Sequence, residues 1–323
     1  MPRLLDYFPV ETTTFQLADW LQQLVYWLRQ LAMAAQRQRT VAERDAGLND
    51  EWSSDTECDG VLLDVNMSNW SPSPPPSYPR VEGDGELLGE GQNAWVVACR
   101  PPWYRERQPL CVKYYKHGVP QFAWQEYDNM LALQAAGVPG VPRIVGQRTE
   151  PLGIVMTRHS NITLLDLLDT DLTRQQTLQV LLQVAATLDT MHDNDLVHND
   201  LHSGNISVDL LPDGGAEAIV LDFEMMSIAG NTRLRNKFRS REREEQEATR
   251  ARYYPWVAPE LYLDGVGTPA SDVYSFAYIA TLLLGPEDRN LWTLQKALGP
   301  PTERPDMKVI KLSLEQRFLT LSP

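Results

Sequence analysis

The order of secondary-structure patterns along the chain constrains its fold more than any other feature of the sequence. Short runs of β-branched and aromatic residues come first, and longer patterns of helical period follow them. The strand-like runs are Trp95–Cys99, Leu110–Tyr115 and Gly153–Thr157, and the helical runs are Thr173–His192 and Ala270–Leu284. Strands and helices segregated in this way are typical of α+β folds. The sequence therefore predicts an α+β domain in which a sheet-rich lobe precedes a helical lobe.

Two segments of different composition precede this domain, which occupies residues 81–323. Residues 1–39 carry leucines at alternating steps of four and three, which predict an amphipathic helical segment. Residues 40–80 are acidic and rich in Ser and Pro, and such a composition indicates a disordered linker. The helix either packs on its own domain or docks a partner. The Pro-rich linker is either an inert spacer or a second partner site.

Net charge and cysteine content indicate which partners and which cellular compartment to expect. The chain has 43 acidic and 29 basic residues, a net charge of −14, which is the wrong sign for neutralising nucleic-acid phosphates. Its three cysteines match neither a disulfide framework nor a zinc site. No apolar run reaches the roughly 18 residues of a membrane span, and the first residues lack a secretory signal. We therefore expect a cytoplasmic or nuclear protein that is not secreted, spans no membrane and binds no nucleic acid.

The first chemical motif combines a glycine pair with a lysine in an apolar strand. Gly89 and Gly91 lie between two strand-like runs, where the backbone can approach a ligand closely. Lys113 lies further on, within the run Leu110–Tyr115, and a cation in such surroundings needs an anionic partner. Glu126, in a helical pattern after that strand, offers the carboxylate. Each feature alone is common, so the motif carries weight only in combination with a second one nearer the C-terminus.

The second motif places acids and an amide at the ends of apolar runs. The segment Val197-His-Asn-Asp-Leu-His-Ser-Gly-Asn-Ile206 holds Asp200 and Asn205 in a loop after a long helix. The apolar run Ile219–Leu221 then ends in Asp222, followed by Phe and Glu. Together they match H-x-D-L-x-x-x-N followed by D-F-x, a pattern that rarely arises by chance beside a glycine turn and a strand lysine.

With these residues the chain resembles the protein kinase family over about residues 83–323. Ala258-Pro-Glu260 and Ser271–Ala277 strengthen the resemblance, and in that family the Glu of A-P-E pairs with an Arg such as Arg304. The resemblance implies a two-lobed protein kinase-like fold. Its N-lobe, residues 81–156, would be an antiparallel sheet with one helix, and its C-lobe, residues 160–323, would be mostly helical.

The resemblance also implies roles for the residues of both motifs, with ATP and Mg²⁺ as cofactors. Gly89 and Gly91 would cover the ATP phosphates, Lys113 would hold the α and β phosphates, and Glu126 would orient Lys113.

The acids and the amide of the second motif would carry the reaction itself. Asp200 would align the substrate hydroxyl or accept its proton. Asn205 and Asp222 would bind magnesium, because acids and amides supply the hard oxygen ligands that this ion prefers.

Further residues would bind the nucleotide by the same resemblance. Val96 and Cys111 would line the adenine slot, Met156 would be the gatekeeper behind it, and Thr157 to His159 would form the hinge between lobes. Cys111 is expected to act as a small buried hydrophobe rather than as a reactive thiol. His202 stands where a Lys usually touches the γ phosphate, so it would add a positive charge only when protonated.

Besides His202, three positions depart from the usual pattern of the family. Ala94 replaces the third glycine of the turn, and Asn199 replaces an Arg that meets phosphate on the activation segment in many protein kinases. Glu224 replaces the Gly after Asp-Phe, which adds a negative charge beside the expected metal ligand.

These departures leave three functions open. The first is an ATP and Mg²⁺ dependent protein kinase that acts on Ser or Thr of a protein substrate. The second is a pseudokinase, a scaffold or binding module that retains the fold and binds ATP without turnover. The third is a small-molecule kinase of the choline or ethanolamine type. Retention of Lys113, Glu126, Asp200, Asn205 and Asp222 together favours an enzyme.

Overall fold

The structure is a computed structural model that describes residues 84–91, 93–101, 104–116, 120–149, 151–168, 170, 172–230, 243–284 and 291–320. The predicted helical segment 1–39 and linker 40–80 lie outside these residues, so both remain predictions, as does the domain boundary. Among the described helices, none combines the length and the apolar character that crossing a membrane requires.

The N-terminal part is a five-stranded sheet with the order β1-β2-β3-β5-β4. Its strands are β1 (Asp84–Glu90), β2 (Ala94–Cys99), β3 (Leu110–Tyr115), β4 (Ile144–Thr149) and β5 (Leu152–Thr157). Every neighbouring pair is antiparallel. Strand β3 is central and all of its residues are buried, which explains why its sequence is apolar without alternation.

One helix, α1 (Pro120–Ala135), packs against the sheet and carries a predicted site residue. Its inner face buries Ala123, Met130 and Leu133, which repeat at helical spacing, and Glu126 lies on the same buried side. The charged residue is therefore carried into the core by its apolar neighbours.

The C-terminal part is mostly helical, as predicted. Its helices are α2 (Leu164–Leu167), α3 (Arg174–His192), α4 (Arg243–Tyr253), α5 (Pro259–Asp264), α6 (Pro269–Leu283), α7 (Trp292–Ala297) and α8 (Met307–Leu319). Its short strands are β6 (Leu196–Val197), β7 (Ile206–Leu210), β8 (Ala216–Val220) and β9 (Ser227–Ile228), and the pairs are β6 with β9 and β7 with β8. The antiparallel sheet followed by helices confirms the predicted two-lobed α+β fold.

The two long predicted helices begin at capping residues that the sequence supplies. The Thr173 hydroxyl accepts the Gln176 amide at 3.2 Å, and the Gln176 side chain accepts the Thr173 amide at 2.9 Å. Thr268 and Ser271 form the same reciprocal pair at the start of α6. Such capping boxes satisfy amide groups that the first helical turn leaves without partners. They explain why α3 and α6 begin within one residue of the predicted positions.

Candidate active site

Lys113 lies at the centre of the predicted site and contacts two of the predicted carboxylates. Its Nζ is 2.6 Å from Glu126 Oε2 and 2.9 Å from Asp222 Oδ1. Burial opposes the charge on Lys113, but Asp222 and Glu126 outweigh it and raise the pKa of the amine. Burial would also raise the pKa of Asp222, yet Lys113 holds that pKa below its ordinary value. The strand lysine is therefore a fixed cation between two anions.

Glu126 is held from two sides besides Lys113. The Tyr115 hydroxyl donates a short hydrogen bond to Glu126 Oε2, and the Phe223 amide donates to Oε1 at 3.4 Å. The carboxylate is only 2% exposed, so these donors replace the water that burial removes. Tyr115 was not among the predicted site residues, because its role depends on a contact with the next helix.

The polar loop, His198–Asn205, is fixed by an acid that the sequence analysis did not single out for a role. Asp272, in the first turn of α6, accepts the backbone amides of His198 at 2.8 Å and Asn199 at 3.0 Å. It also contacts His192 Nε2 at 3.1 Å. Asp272 has no exposed surface, and its position at a helix N-terminus favours a negative charge. The loop backbone is thus held by a buried side chain of α6.

Asp200 and Asn205 of the polar loop are joined to each other. The Asn205 side-chain amide donates to the Asp200 carbonyl at 2.9 Å, so the amide oxygen is the end left to ligate a cation. Burial, with the charges of Asp222 and Glu224, raises the pKa of Asp200 well above its ordinary value. The site thus contains more carboxyl groups than the single positive charge of Lys113 can balance.

His202 contributes no positive charge in this structure. Its Nδ1 accepts the Gly204 amide at 3.1 Å, and its ring centroid lies 5.6 Å from that of Trp256. Burial lowers the pKa of His202 to about 4, so the imidazole is neutral at pH 7. Its predicted place near the γ phosphate stays a prediction, but with this pKa the ring would supply no positive charge there at pH 7.

The glycine turn, of which the structure describes residues 89–91, 93 and 94, leaves open space beside its glycines. A Cβ added to Gly89 would meet no atom within 4 Å, and one added to Gly91 would meet only the Ala94 carbonyl at 3.8 Å. Neither glycine is required by its own backbone angle, because neither has a positive φ. Room for a ligand next to the turn is therefore the physical feature that these glycines provide.

The turn also touches the segment after Asp222, a contact that sequence spacing could not indicate. The Asn93 side-chain amide donates to Glu224 Oε1 at 2.8 Å and Oε2 at 3.1 Å. Burial and the neighbouring charge of Asp222 raise the pKa of Glu224 to about 7. Oxygen atoms of Glu126, Asp222 and Glu224 lie within 4.8 Å of one another.

The predicted adenine-slot residues lie on three adjacent strands. Val96 is the register partner of Lys113, and Cys111 is the register partner of Met156. Cys111 and Met156 are 6% and 8% exposed. Burial raises the pKa of the Cys111 thiol to about 12, which agrees with its expected behaviour as a small hydrophobe.

The predicted hinge follows strand β5 and is tied to its surroundings. The Thr157 amide donates to the Arg143 carbonyl at 3.0 Å, and the Arg158 amide donates to the Pro109 carbonyl at 2.9 Å. The Thr157 hydroxyl lies 3.0 Å from His159 Nε2. These contacts hold the backbone from Thr157 to His159, and its role as a hinge beside an adenine slot stays a prediction.

Asn199 holds the start of the segment that follows Asp222. Its side-chain amide donates to the Met225 carbonyl at 2.9 Å and to the Ser227 hydroxyl at 3.1 Å. Asn199 adopts the left-handed conformation with φ 66°, which asparagine tolerates better than most residues. Where the family resemblance indicated only a missing Arg, the structure shows a neutral side chain that ties two segments together.

Two arginines with buried side chains hold the stretch from Pro255 to Glu260. Arg250 of α4 is 6% exposed and donates to the Val257 carbonyl at 2.8 Å and to Glu247 at 2.7 Å. Arg304 contacts Glu260 at 2.5 Å and 3.0 Å, which confirms the predicted pair. The guanidinium carbons of Arg250 and Arg304 lie 5.8 Å and 5.0 Å from the ring centroid of Tyr274. Arg250 is buried because its donors reach carbonyl groups of the following loop.

Comparison with known proteins agrees with this architecture. The sequence model of the protein tyrosine and serine/threonine kinase family matches residues 84–284, well over half of the chain. A search of curated proteins finds no significant match. The matched range contains the glycine turn, Lys113, Glu126, the polar loop, Asp222 and Glu260. On the breadth of that match, with the fold and site described above, the chain belongs to the protein kinase family.

Proposed function

We propose that the chain is an ATP and Mg²⁺ dependent protein kinase that transfers the γ phosphate of ATP to a Ser or Thr hydroxyl of a protein substrate. The double ion pair of Lys113 with Glu126 and Asp222 carries this proposal. It fixes a cation from the sheet, a carboxylate from α1 and an acid after β8 in one place. Phosphoryl transfer requires mainly such positioning and neutralisation of charge.

The residues around Lys113 fit a nucleoside triphosphate. The open space beside Gly89 and Gly91 leaves room for phosphates, and Lys113 supplies a cation to the site. The slot behind, lined by Val96, Cys111 and Met156, offers apolar surface for a base, with Thr157 and His159 at its edge. We assign ATP binding to these residues, with Glu126 orienting Lys113 and His202 near the terminal phosphate.

The donor set also fits a divalent cation. Asp222 and the amide oxygen of Asn205 are hard oxygen ligands, and the acids in the site exceed the charge of Lys113. When bound, Mg²⁺ would neutralise phosphate charge and help to orient the group that is transferred. We therefore assign the metal to Asn205 and Asp222.

Asp200 is the residue that would act on the substrate hydroxyl. In the proposed step the hydroxyl oxygen forms a bond to the γ phosphorus while the bond from that phosphorus to the bridging oxygen breaks and ADP leaves. The hydroxyl proton goes to Asp200, and Lys113 stays on the phosphates of the nucleotide. The hold of Asp272 on the polar loop keeps Asp200 in register for this step.

One observation favours the second candidate, a pseudokinase module. Asn93 and Glu224 bridge the turn and the segment after Asp222, beside the very acid expected to bind metal. Glu224 adds a negative charge next to that acid, which would slow the turnover of bound nucleotide. For the third candidate, a small-molecule kinase, the Glu260–Arg304 pair counts against it, since A-P-E is a mark of the protein-kinase branch.

Single-turnover transfer from γ-labelled ATP with Mg²⁺ tests the proposal. Wild type, Asp200→Asn and the control Asp209→Asn, an exposed acid on β7, are compared against a mixed protein substrate. We expect labelled phosphoserine or phosphothreonine with wild type and Asp209→Asn, and a loss of at least about a hundredfold with Asp200→Asn. Equal labelling by all three proteins would contradict the assignment, and nucleotide binding without labelling would favour the pseudokinase.

The compartment and partners belong to the same proposal. Cys99 and Cys111 are buried free thiols, which agrees with a reducing compartment such as the cytosol or nucleus. Partner docking through residues 1–39 or the Pro-rich linker is proposed from composition alone.

A further inference from the structure

The contact between Asn93 and Glu224 joins parts of the chain that are 131 residues apart. Asn93 belongs to the glycine turn, and Glu224 follows Asp222 and Phe223. Because the amide reaches both carboxylate oxygens, at 2.8 Å and 3.1 Å, the bond persists through small rotations of either side chain. Hydrogen bonds to an ionised acceptor are among the stronger ones in proteins.

The position of this bond matters more than its strength. Glu224 has an oxygen within 4.8 Å of oxygens of Asp222 and Glu126, which are the partners of Lys113. In the proposed function the phosphates of the nucleotide lie between the glycine turn and this group. A direct bond from the turn to Glu224 therefore crosses the space that the phosphates need.

The backbone of the turn is held on its other side by Lys116. The Lys116 amide donates to the Asn93 carbonyl at 2.8 Å, and its Nζ donates to the Gly91 carbonyl at 2.9 Å. Nζ also pairs with Glu90 at 2.9 Å. With the backbone held in this way, the Asn93 side chain is the part of the turn that contacts Glu224.

We propose that the Asn93–Glu224 hydrogen bond is a latch that closes the glycine turn over the site and must break when nucleotide phosphates enter. Asn93 and Glu224 thereby set nucleotide affinity, Asn93 acting through the turn and Glu224 through both the bond and its charge. The inference rests on the proposed function, because the latch is defined by the nucleotide that it opposes.

Calorimetric titration of ATP with Mg²⁺ tests the latch. Asn93→Ala is expected to tighten ATP binding about tenfold, the change that corresponds to removing one charge-assisted hydrogen bond. Glu224→Ala is expected to tighten it at least as much, since it also removes a charge that repels phosphate. The double variant should match Glu224→Ala, because the second change finds the bond already absent.

Two controls separate the latch from charge and from general loosening. Glu224→Gln removes the charge but keeps an oxygen that accepts from Asn93, so Asn93→Ala should still tighten ATP binding in that background. Asn194→Ala removes an exposed asparagine that bonds to the Thr190 carbonyl, far from Lys113 in sequence and outside the site, and should leave affinity unchanged. Amide hydrogen exchange of residues 89–96 without ligand should rise in Asn93→Ala and Glu224→Ala.

The outcomes distinguish this inference from the proposed function. If wild type binds ATP and Asn93→Ala binds it equally or more weakly, the latch is wrong while the kinase assignment stands. Fully multiplicative effects of the two single variants would also overturn the latch. If neither wild type nor any latch variant binds ATP, the proposed function fails, and the inference fails with it.

Discussion

The polar loop and the glycine turn face the same site, but they are held in opposite ways. Asp272 binds the amides of His198 and Asn199 with a side chain that has no exposed surface, so a ligand can enter without disturbing that contact. Glu224 binds Asn93 from inside the site, so a ligand competes with it. Buried contacts hold the backbone of the polar loop. Lys116 holds the backbone of the glycine turn, but the bond from the turn to Glu224 is a side-chain contact that a ligand can displace. The difference shows how one site combines fixed catalytic groups with a contact that gives way to a ligand.

The largest expected loss of stability is at the polar loop, where Asp272 holds the backbone. Asp272→Ala removes a buried acceptor and leaves the His198 and Asn199 amides without it, so the free energy of unfolding should fall by about 4 kcal/mol. Urea unfolding measures the loss. Asp193→Ala, at an exposed helix end, is the control and should change stability by less than about 0.5 kcal/mol. A small loss for Asp272→Ala would mean that the polar loop is fixed by other contacts.

Asn199 should come next in size. Asn199→Ala loses the bond to the Met225 carbonyl and places a Cβ residue without a polar side chain at φ 66°, for a loss of about 2 to 3 kcal/mol. Asn199→Gly loses the same bond but tolerates that φ, so it should recover about 1 kcal/mol. Equal stabilities of the two variants would show that backbone strain plays no part.

Tyr115→Phe measures what one hydroxyl group contributes to the hold on Glu126. It removes the donor from Tyr115 to Glu126 while Lys113 and the Phe223 amide remain, so we expect a loss of about 1.5 kcal/mol in urea unfolding. Nucleotide affinity should fall as well, because Glu126 orients Lys113 less firmly. Tyr104→Phe, with a hydroxyl that bonds to exposed Glu106, is the matched control.

The smallest effect on stability is expected at the glycine turn. Asn93→Ala breaks only the half-buried contact with Glu224, so the free energy of unfolding should fall by about 1.4 kcal/mol, the equivalent of the expected tenfold change in ATP affinity. A loss as large as that of Asp272→Ala would remove the distinction between the polar loop and the glycine turn, since the glycine turn would then be part of the rigid core.

Much of the fold and part of the site could be predicted from the sequence because they depend on local pattern or on motif. Strand β3 and helices α3 and α6 are indicated by apolar runs and capping residues. The Lys113–Glu126 and Glu260–Arg304 pairs are indicated by the family resemblance.

The remaining contacts have no periodic signature. Asn93 and Glu224 meet only after the two lobes fold, and the acceptor role of Asp272 depends on the path of another loop. Arg250 looks like a surface charge in sequence, because the carbonyls that bury it belong to an irregular segment. Predicting these contacts requires coordinates rather than composition.

The arrangement of Arg250 and Arg304 around Tyr274 has a consequence for how this family of sequences can vary. Each guanidinium lies near the same ring, at 5.8 Å and 5.0 Å, so the three side chains share one environment. Replacing the Tyr274 ring removes the aromatic contact of both arginines at once, whereas replacing one arginine leaves the ring in contact with the other. In relatives of this chain, positions 250, 274 and 304 should therefore covary, and a change at 274 should be accompanied by changes at both of the others.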